Sequence, residues 1–411
     1  MRDYFSAQML RWFILFLGIV IYSSSFAQKG LEGKVIDARG VPVAGASVYI
    51  NNSTVSSSSD KDGRFRLVTN LQGNIELVIS SIGFQTQTVN LVLPTDQSLQ
   101  IVLQPKSIEI EEVVVQAYDK DGWQQWGRYF TETFIGLGEN AEKTKILNPD
   151  VLRFRYNKAA KKLRVWAVET LQIENKALGY HIKYDLGHYE SDFAERTIQY
   201  SGYANYTVLS DKRSIRRNRE KTYNSSFMKF VRSIYNAHWA QDGYTVRALK
   251  KLRNEDKFEA DSILKVVNRI VQESYDMNWK LFYASQRDYS QQDIEKYQAL
   301  SRQSAYINVA GLVLKESDIV VGEEGVIKKV QYADYLYIPH NNLEMENGYF
   351  EQNRDGMGHS ELSIITVQEI WIDPQGNFYP GVDWMLQGYW SWHSKLSNML
   401  PFDYWPSNKN P

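Results

Sequence analysis

The sequence contains no cysteine. That removes disulfide frameworks, thiol nucleophiles, thiolate zinc sites and a Cys-acylated lipid anchor in one step. Net charge is nearly absent as well, with 47 basic against 48 acidic side chains, so no global field draws in nucleic acid, which is not expected as a partner. Histidine is scarce: none of His181, His188, His238, His340, His359 and His393 has Glu three positions on. Zinc peptidases need a His-x-x-Glu or His-Glu-x-x-His pairing, so metallocarboxypeptidase activity is not expected. The Gly-x-Ser-x-Gly elbow, the phosphate-binding loop and the dinucleotide fingerprint are missing too. A triad assembled from scattered Ser, His and Asp would leave no such trace. No catalytic residue, metal site or cofactor is therefore designated, and the question of an enzyme stays open with binding favoured.

What is present is 43% hydrophobic and 13% aromatic residues, 27 Tyr and 11 Trp among them, in a chain long enough for two or three domains. Arg2 and Arg11 precede an apolar run from Trp12 to Tyr22, followed by Ser25-Phe26-Ala27. This is the pattern of a secretory signal peptide cut after Ala27, and the run is far shorter than the ~20 residues a bilayer span requires. No later segment is long and apolar enough, so the mature chain is expected to have no transmembrane span, with peripheral membrane association left open. The expected division is a signal peptide at 1–27, a β-sandwich at 28–104, a linker or strand at 105–121, and an α+β domain at 122–411 with a helical insertion near 223–304.

Runs at Leu31–Asp37, Ala46–Ile50, Arg64–Thr69, Ile75–Ser80, Gln85–Leu93 and Leu99–Leu103 alternate apolar and polar residues between Gly, Pro and Asp turn signals. They predict a sandwich whose inner face holds Val35, Ala46, Val48, Ile50, Phe65, Leu67, Leu77, Ile79, Val89, Leu91, Ile101 and Leu103. Asp60-Lys61-Asp62-Gly63 reads as a hairpin turn. A calcium loop of the EF-hand type is the alternative, but its twelfth position would be the apolar Leu71.

Gly33-Lys34-Val35, Gly40-x-Pro42-Val43-x-Gly45-Ala46-Ser47-Val48, Asp60-x-Asp62-Gly63-x-Phe65 and Ser81-x-Gly83-Phe84 together resemble the carboxypeptidase-regulatory-like domain of Bacteroidota envelope proteins. The resemblance covers most of 30–104. It implies a seven-stranded prealbumin or transthyretin-like β-sandwich with a carbohydrate-binding-like fold, acting as an accessory module without catalytic residues of its own. In that family the module often precedes the plug and barrel of TonB-dependent outer-membrane receptors. Ile108-Glu109-Ile110-Glu111-Glu112-Val113-Val114-Val115 resembles the segment that ends it there. It reads as a last strand and linker, with docking by strand addition onto a partner as the alternative. The chain beyond it is too short for a plug and a 22-stranded barrel.

Trp123, Trp126, Tyr129, Phe130, Phe134 and Ile135 predict an amphipathic helix over 122–138. Strands are expected at Val151–Tyr156, Lys162–Ala167, Tyr180–Leu186 and Thr197–Leu209, with Ile173–Tyr180 holding a polar turn. Lys212, Arg213, Arg216, Arg217, Arg219 and Lys221 form a basic cluster that reads as a solvated face, with phosphate or lipid headgroups as the alternative. Helices are expected at Phe227–Trp239 and Phe258–Val271, the latter with Phe258, Ile263, Val266, Val267 and Ile270 inside, and a third at Tyr289–Ser301. Strands resume at Tyr306–Lys315, Val326–Val330, Tyr335–Pro339 and Ser363–Ile372, and Asp373-Pro374-Gln375-Gly376-Asn377 is a turn. The whole is expected to be mostly β, with an antiparallel sheet in the second domain. Phe134-Ile135-Gly136, Ile146-Leu147-Asn148-Pro149, Asn175-Lys176-Ala177-Leu178-Gly179-Tyr180 and Met399-Leu400-Pro401-Phe402-Asp403-Tyr404 extend the resemblance to a Bacteroidota family of this domain order. That family has no assigned reaction, so no site residue is implied.

Glu344, Glu346, Asp355, Glu361, Glu369, Asp373 and Asp383 lie among Tyr349, Trp371, Tyr379, Trp384, Tyr389, Trp390 and Trp392. Sugar rings stack on exposed aromatics, and glycosidases pair two carboxylates. Trp371, Trp384, Trp390, Trp392, Glu369 and Asp383 are accordingly the candidate lining of a binding groove, while the bland reading puts these rings in a β-rich core. The expected function is that of an envelope protein, periplasmic or at the outer membrane, binding a protein partner or a glycan. A hydrolase of glycan or envelope polymer and a component of TonB-dependent transport are the alternatives.

Overall fold

The computed structural model describes residues 30–95, 97–106, 118–273, 290–339, 345–352, 359–364, 369–381 and 384–406, the side chains at 270–273, 351–352 and 359–364 excepted. The expected signal segment and residues 107–117 of the linker lie outside them.

The first seven strands are β1 (Gly30–Asp37), β2 (Ser47–Ile50), β3 (Ser56–Ser58), β4 (Arg64–Val68), β5 (Gly73–Ser80), β6 (Gln87–Leu93) and β7 (Leu99–Leu103). They form two facing sheets ordered β4-β1-β7 and β3-β2-β5-β6. Period-two alternation puts Val35, Val48, Ile50, Phe65, Leu67, Leu77, Ile79, Ile101 and Leu103 between them as one core. Val89 and Leu91, expected inside, are only half-buried because β6 is an edge strand. Strand β3 is unexpected, since its three serines carry no apolar signal. Asp60 Oδ1 accepts from the amides of Asp62 (2.9 Å) and Arg64 (2.8 Å), which makes this segment a side-chain-closed hairpin turn.

Helix α1 (Gly122–Phe134) packs on a second sheet built from β8 (Thr144–Ile146), β9 (Leu152–Asn157), β10 (Lys162–Ala167), β11 (Leu171–Asn175), β12 (Tyr180–Asp192) and β13 (Thr197–Val208). Phe130 and Phe134, four residues apart on one helix face, stack at 5.0 Å and are fully buried against Phe154, Tyr184 and Tyr189. The stretch beginning at Ile173 is a strand as far as Asn175. Its polarity is misleading, since the buried Asn175 amide donates to Ser397 O (2.9 Å) and its oxygen accepts from Leu178 N (2.9 Å).

Then come α2 (Arg213–Ser225), α3 (Phe227–Tyr235), β14 (Arg247–Arg253), α4 (Glu255–Glu273), α5 (Gln291–Ser301), β15 (Tyr306–Val313), β16 (Val320–Glu324), β17 (Ile327–Val330), β18 (Tyr335–Pro339), α6 (Asn347–Gln352), β19 (His359–Ile364), β20 (Ile370–Ile372), β21 (Phe378–Tyr379), β22 (Trp384–Gly388) and α7 (Tyr389–His393). Two sheets, β15-β14-β18-β19-β22 and β16-β17-β20-β21, share a core with α3. The expected helical insertion thus contains a strand, β14, hidden by Arg247, Lys250, Lys251 and Arg253. Among the described side chains of α4 the buried positions are Ala260 and Val267; Phe258 and Ile263 are half-buried, Val266 is 44% exposed, and the Ile270 side chain lies outside the described ones. Among the described residues no helix is long and apolar enough to cross a membrane.

The sandwich is clamped to both later cores. Ala204 N donates to Asn51 Oδ1 (2.8 Å), Asn52 N to Ala204 O (2.8 Å) and Tyr206 N to Ser53 O (3.0 Å). From the other side the segment 401–405 returns: Phe402 N donates to Asn52 O (2.7 Å), the Phe402 ring packs on the sandwich core, and Thr54 N donates to Asp403 Oδ1 (2.9 Å). Arg232, 2% exposed on α3, holds that segment by donating to Gln375 O (2.9 Å), Tyr404 O (2.9 Å) and Phe402 O (3.0 Å), with its guanidinium 3.8 Å from the Trp405 ring centre. A planar fork of five donors suits three carbonyls from two segments as lysine does not. Replacing Arg232 by Ala leaves those carbonyls without their donor and should cost about 3–5 kcal/mol, with Arg232→Lys recovering only part of it. Urea unfolding of the two variants against wild type measures both.

Candidate functional site

Trp384 and Trp390, candidates for a groove or for a β-rich core, are 4% and 0% exposed. They pack inside the core against α3, Trp384 at 5.2 Å from Phe227 and Trp390 at 4.8 Å from Phe230, and the Trp390 indole N–H donates to Ser225 O (3.1 Å). The physical reason is the apolar face of α3, which needs large rings to cover it. Neither indole offers a face to a ligand. Trp392 is half-buried against Tyr349 and Tyr389, and Trp371 is half-buried on β20 opposite Lys329 and Tyr379. Glu369 is exposed and ion-paired to Lys329. Asp383, with Glu344 and Asp355, lies outside the described residues.

The carboxylates that are described do not converge. Glu346 accepts from Glu139 N (2.7 Å) and lies beside His393, Glu369 takes Lys329, and Asp373 faces the sandwich. Among the described residues no group of three or more His, Asp or Glu is placed to hold a metal.

The site that the fold does assemble is a cleft of about 400 Å³ between the sandwich and the 373–379 hairpin. Its sandwich wall is made by Asn51, Gln72, Asn74, Glu76 and Asn90, its opposite wall by Asn377, Phe378 and Tyr379, its end by Phe402 and its floor by Asp373 and Gln375. Strand alternation explains the first wall: Ile75 and Leu77 turn into the core, so Asn74 and Glu76 turn out, and Asn90 stands opposite Glu76 in register. The two walls meet at Gly73, whose φ is +85° and where a Cβ would stand 2.6 Å from the Asp373 Cβ, so no side chain fits there.

The hairpin wall is rigidly made. Asp373 Oδ1 accepts from Gln375 N (2.9 Å) and Asn377 N (3.0 Å), and Gly376 takes φ +79° to close the turn. Asn377 Nδ2 bridges to Asn74 O (3.3 Å), and Asn51 Nδ2 donates to Glu76 Oε2 (2.8 Å). Gln375 is 6% exposed, and its Oε1 has no hydrogen-bond partner among the described residues. Burial pushes the Asp373 carboxyl up to about 7, against the opposing pull of the Asn377 and Gln375 amides and of Arg232. Among the described residues no lysine or arginine lines the cleft. Its lining is made of seven amide side chains, two carboxyl groups, three aromatic rings and the aliphatic Ile50, Leu71 and Ile75, a set that can meet hydroxyl groups and the apolar face of a ring.

Of this lining, Asp373 and Tyr379 stood among the aromatic and acidic residues singled out in the sequence. The sandwich wall did not. Outward polar residues on a strand are what any wet sheet face shows, so Asn74, Glu76 and Asn90 carry no signal until a second surface is brought up to them.

Residues 31–115 match the CarboxypepD_reg-like domain family. Over 106 residues the chain is 36% identical to the TonB-dependent receptor SusC of Bacteroides thetaiotaomicron, a match covering 26% of this chain and 10% of the receptor. The chain thus spans about a tenth of that relative's length. Two solved structures share local likeness: a chain of a type II cohesin–X-dockerin complex from Acetivibrio cellulolyticus (20% identity, 19% of this chain and 58% of that one, TM-score 0.17) and 3-chlorocatechol 1,2-dioxygenase from Rhodococcus opacus 1CP (14% identity, 18% and 58%, TM-score 0.15). The chain carries a carboxypeptidase-like regulatory domain, in a mostly β architecture.

The raised Asp373 carboxyl has a consequence for stability. The native state keeps its proton up to about pH 7, while the unfolded chain releases it near 3.8. Stability therefore falls as pH rises from about 4 to about 7 and stays at the lower level above that. Asp373→Asn keeps the accepting oxygen and removes the charge, so it should flatten this slope and match or exceed wild type at pH 8, by about 1–4 kcal/mol. Urea midpoints of both proteins at pH 5 and pH 8 check this.

Proposed function

We propose that this is an envelope protein that binds a neutral, hydroxyl-rich ligand, a short saccharide, in the cleft between its regulatory-like sandwich and the 373–379 hairpin. The observation that carries the reading is the lining itself. A cleft of about 400 Å³ is of ligand-binding size, its polar groups are almost all amides, and no cationic side chain borders it among the described residues. Tyr379 and Phe378 supply the ring surface.

Placement in the envelope is supported by the export pattern of residues 1–27 and by the similarity of the first domain to part of a TonB-dependent receptor. In this reading the sandwich is an accessory module that also forms half of the site.

Calorimetric titration of the mature chain with a panel of neutral mono- to tetrasaccharides tests the cleft. At least one should bind with a Kd between about 10 µM and 1 mM, and Asn377→Ala or Tyr379→Ala should weaken it by about tenfold or more, one lost hydrogen bond or stacked ring each. Absence of binding across the panel, or binding indifferent to both substitutions, contradicts the proposal.

A further inference from the structure

The segment 401–405 has a second side. Where Phe402 ends the amide-lined cleft, Tyr404 and Trp405 face α2 across a separate hollow of about 570 Å³, lined by Arg213, Arg216, Arg217 and Arg219 against Asp211, Glu220 and Asp403. Two of its three carboxylates are engaged, and the third, Glu220, is exposed. Asp211 takes Arg219 (3.2 Å) and Arg216 (3.7 Å), and Asp403 is bound by the amide and hydroxyl of Thr54. Arg219 is 5% exposed and committed to Leu178 O (2.7 Å) and Ser210 O (2.9 Å), with its guanidinium 4.1 Å from the Tyr180 ring centre. It is a structural brace. Arg213 and Arg217 differ: they stand four apart on one face of α2, are exposed, and have no ion-pair partner among the described residues. The first turn of α2 contains no acid, and Glu220, three residues beyond Arg217, is the one acid of the helix that borders the hollow.

From this geometry we infer that the hollow is an anion site, in which Arg213 and Arg217 take a phosphate group in forked hydrogen bonds while Tyr404 and Trp405 cover the group that carries it. A solvated arginine face on a convex helix would not be closed on the far side by two aromatic rings and a proline. The site is distinct from the cleft in charge: one is lined without cations, the other by four. The phosphate can be carried by a soluble sugar phosphate or by a lipid headgroup, which share the same recognised chemistry.

The test compares wild type with the Arg213→Ala, Arg217→Ala double variant, both substitutions being at exposed positions and expected to leave the melting temperature unchanged. Binding of inorganic phosphate and of glucose 6-phosphate is read by calorimetry at low and raised salt, and co-sedimentation with vesicles of phosphatidylglycerol and phosphatidylcholine is read against phosphatidylcholine alone. Binding of the soluble phosphates that weakens about tenfold in the variant and with added salt supports a small-molecule source. Retention on the anionic vesicles alone, lost in the variant, supports a headgroup. No binding in either arm, or binding that the double substitution leaves intact, overturns the inference. An Asn377→Ala control, altered only in the cleft, should bind phosphate as wild type does and so separates this site from the saccharide reading.

Discussion

The arrangement of the whole chain depends on one buried guanidinium. Arg232 donates to three carbonyls, one in the 373–377 turn and two in the 401–405 segment, and stacks on Trp405. Removing a charged group from water is costly, and here the cost is offset by a full set of partners rather than by a counter-ion. The consequence is geometric. The turn and the segment are fixed to each other, the segment reaches Asn52 and Thr54 of the sandwich, and the sandwich is thereby held at a set distance from the last sheets.

A cleft results because the two surfaces meet at a point and not along a face. Gly73 and Asp373 touch, Asn377 bridges to Asn74, and beyond that contact the walls diverge. Polar residues that would face water on an isolated sandwich are enclosed on one side by Phe378, Tyr379 and Phe402. Desolvation then acts on what is enclosed: it raises Asp373 and leaves the Gln375 oxygen unsatisfied among the described residues. Both features are costs to folding.

Local chemistry was legible in the sequence wherever it repeats with a short period. The inner face of the sandwich, the Asp60 turn, α1 with Phe130 and Phe134, and the strands at Lys162–Ala167 and Tyr335–Pro339 all follow from alternation or helical spacing. Elements whose charge or polarity is satisfied by distant partners were not legible. β14 reads as a basic stretch and β11 as a turn, because Asn175 finds Ser397, some two hundred residues away. The tryptophans were conspicuous for size, and size is what a core selects; Trp384 and Trp390 fill the space over α3. The cleft needs two walls from opposite ends of the chain, and neither wall is unusual alone.

In the proposed function, the contact between sandwich and hairpin makes the saccharide site. Hydrogen exchange read by mass spectrometry on the intact chain, with and without a mixture of neutral oligosaccharides, tests it most directly. Slowed exchange confined to peptides covering 72–92, 373–379 and 401–404 is the predicted result. Unchanged exchange there, or protection that appears only around Trp371 and Trp392, would contradict the account.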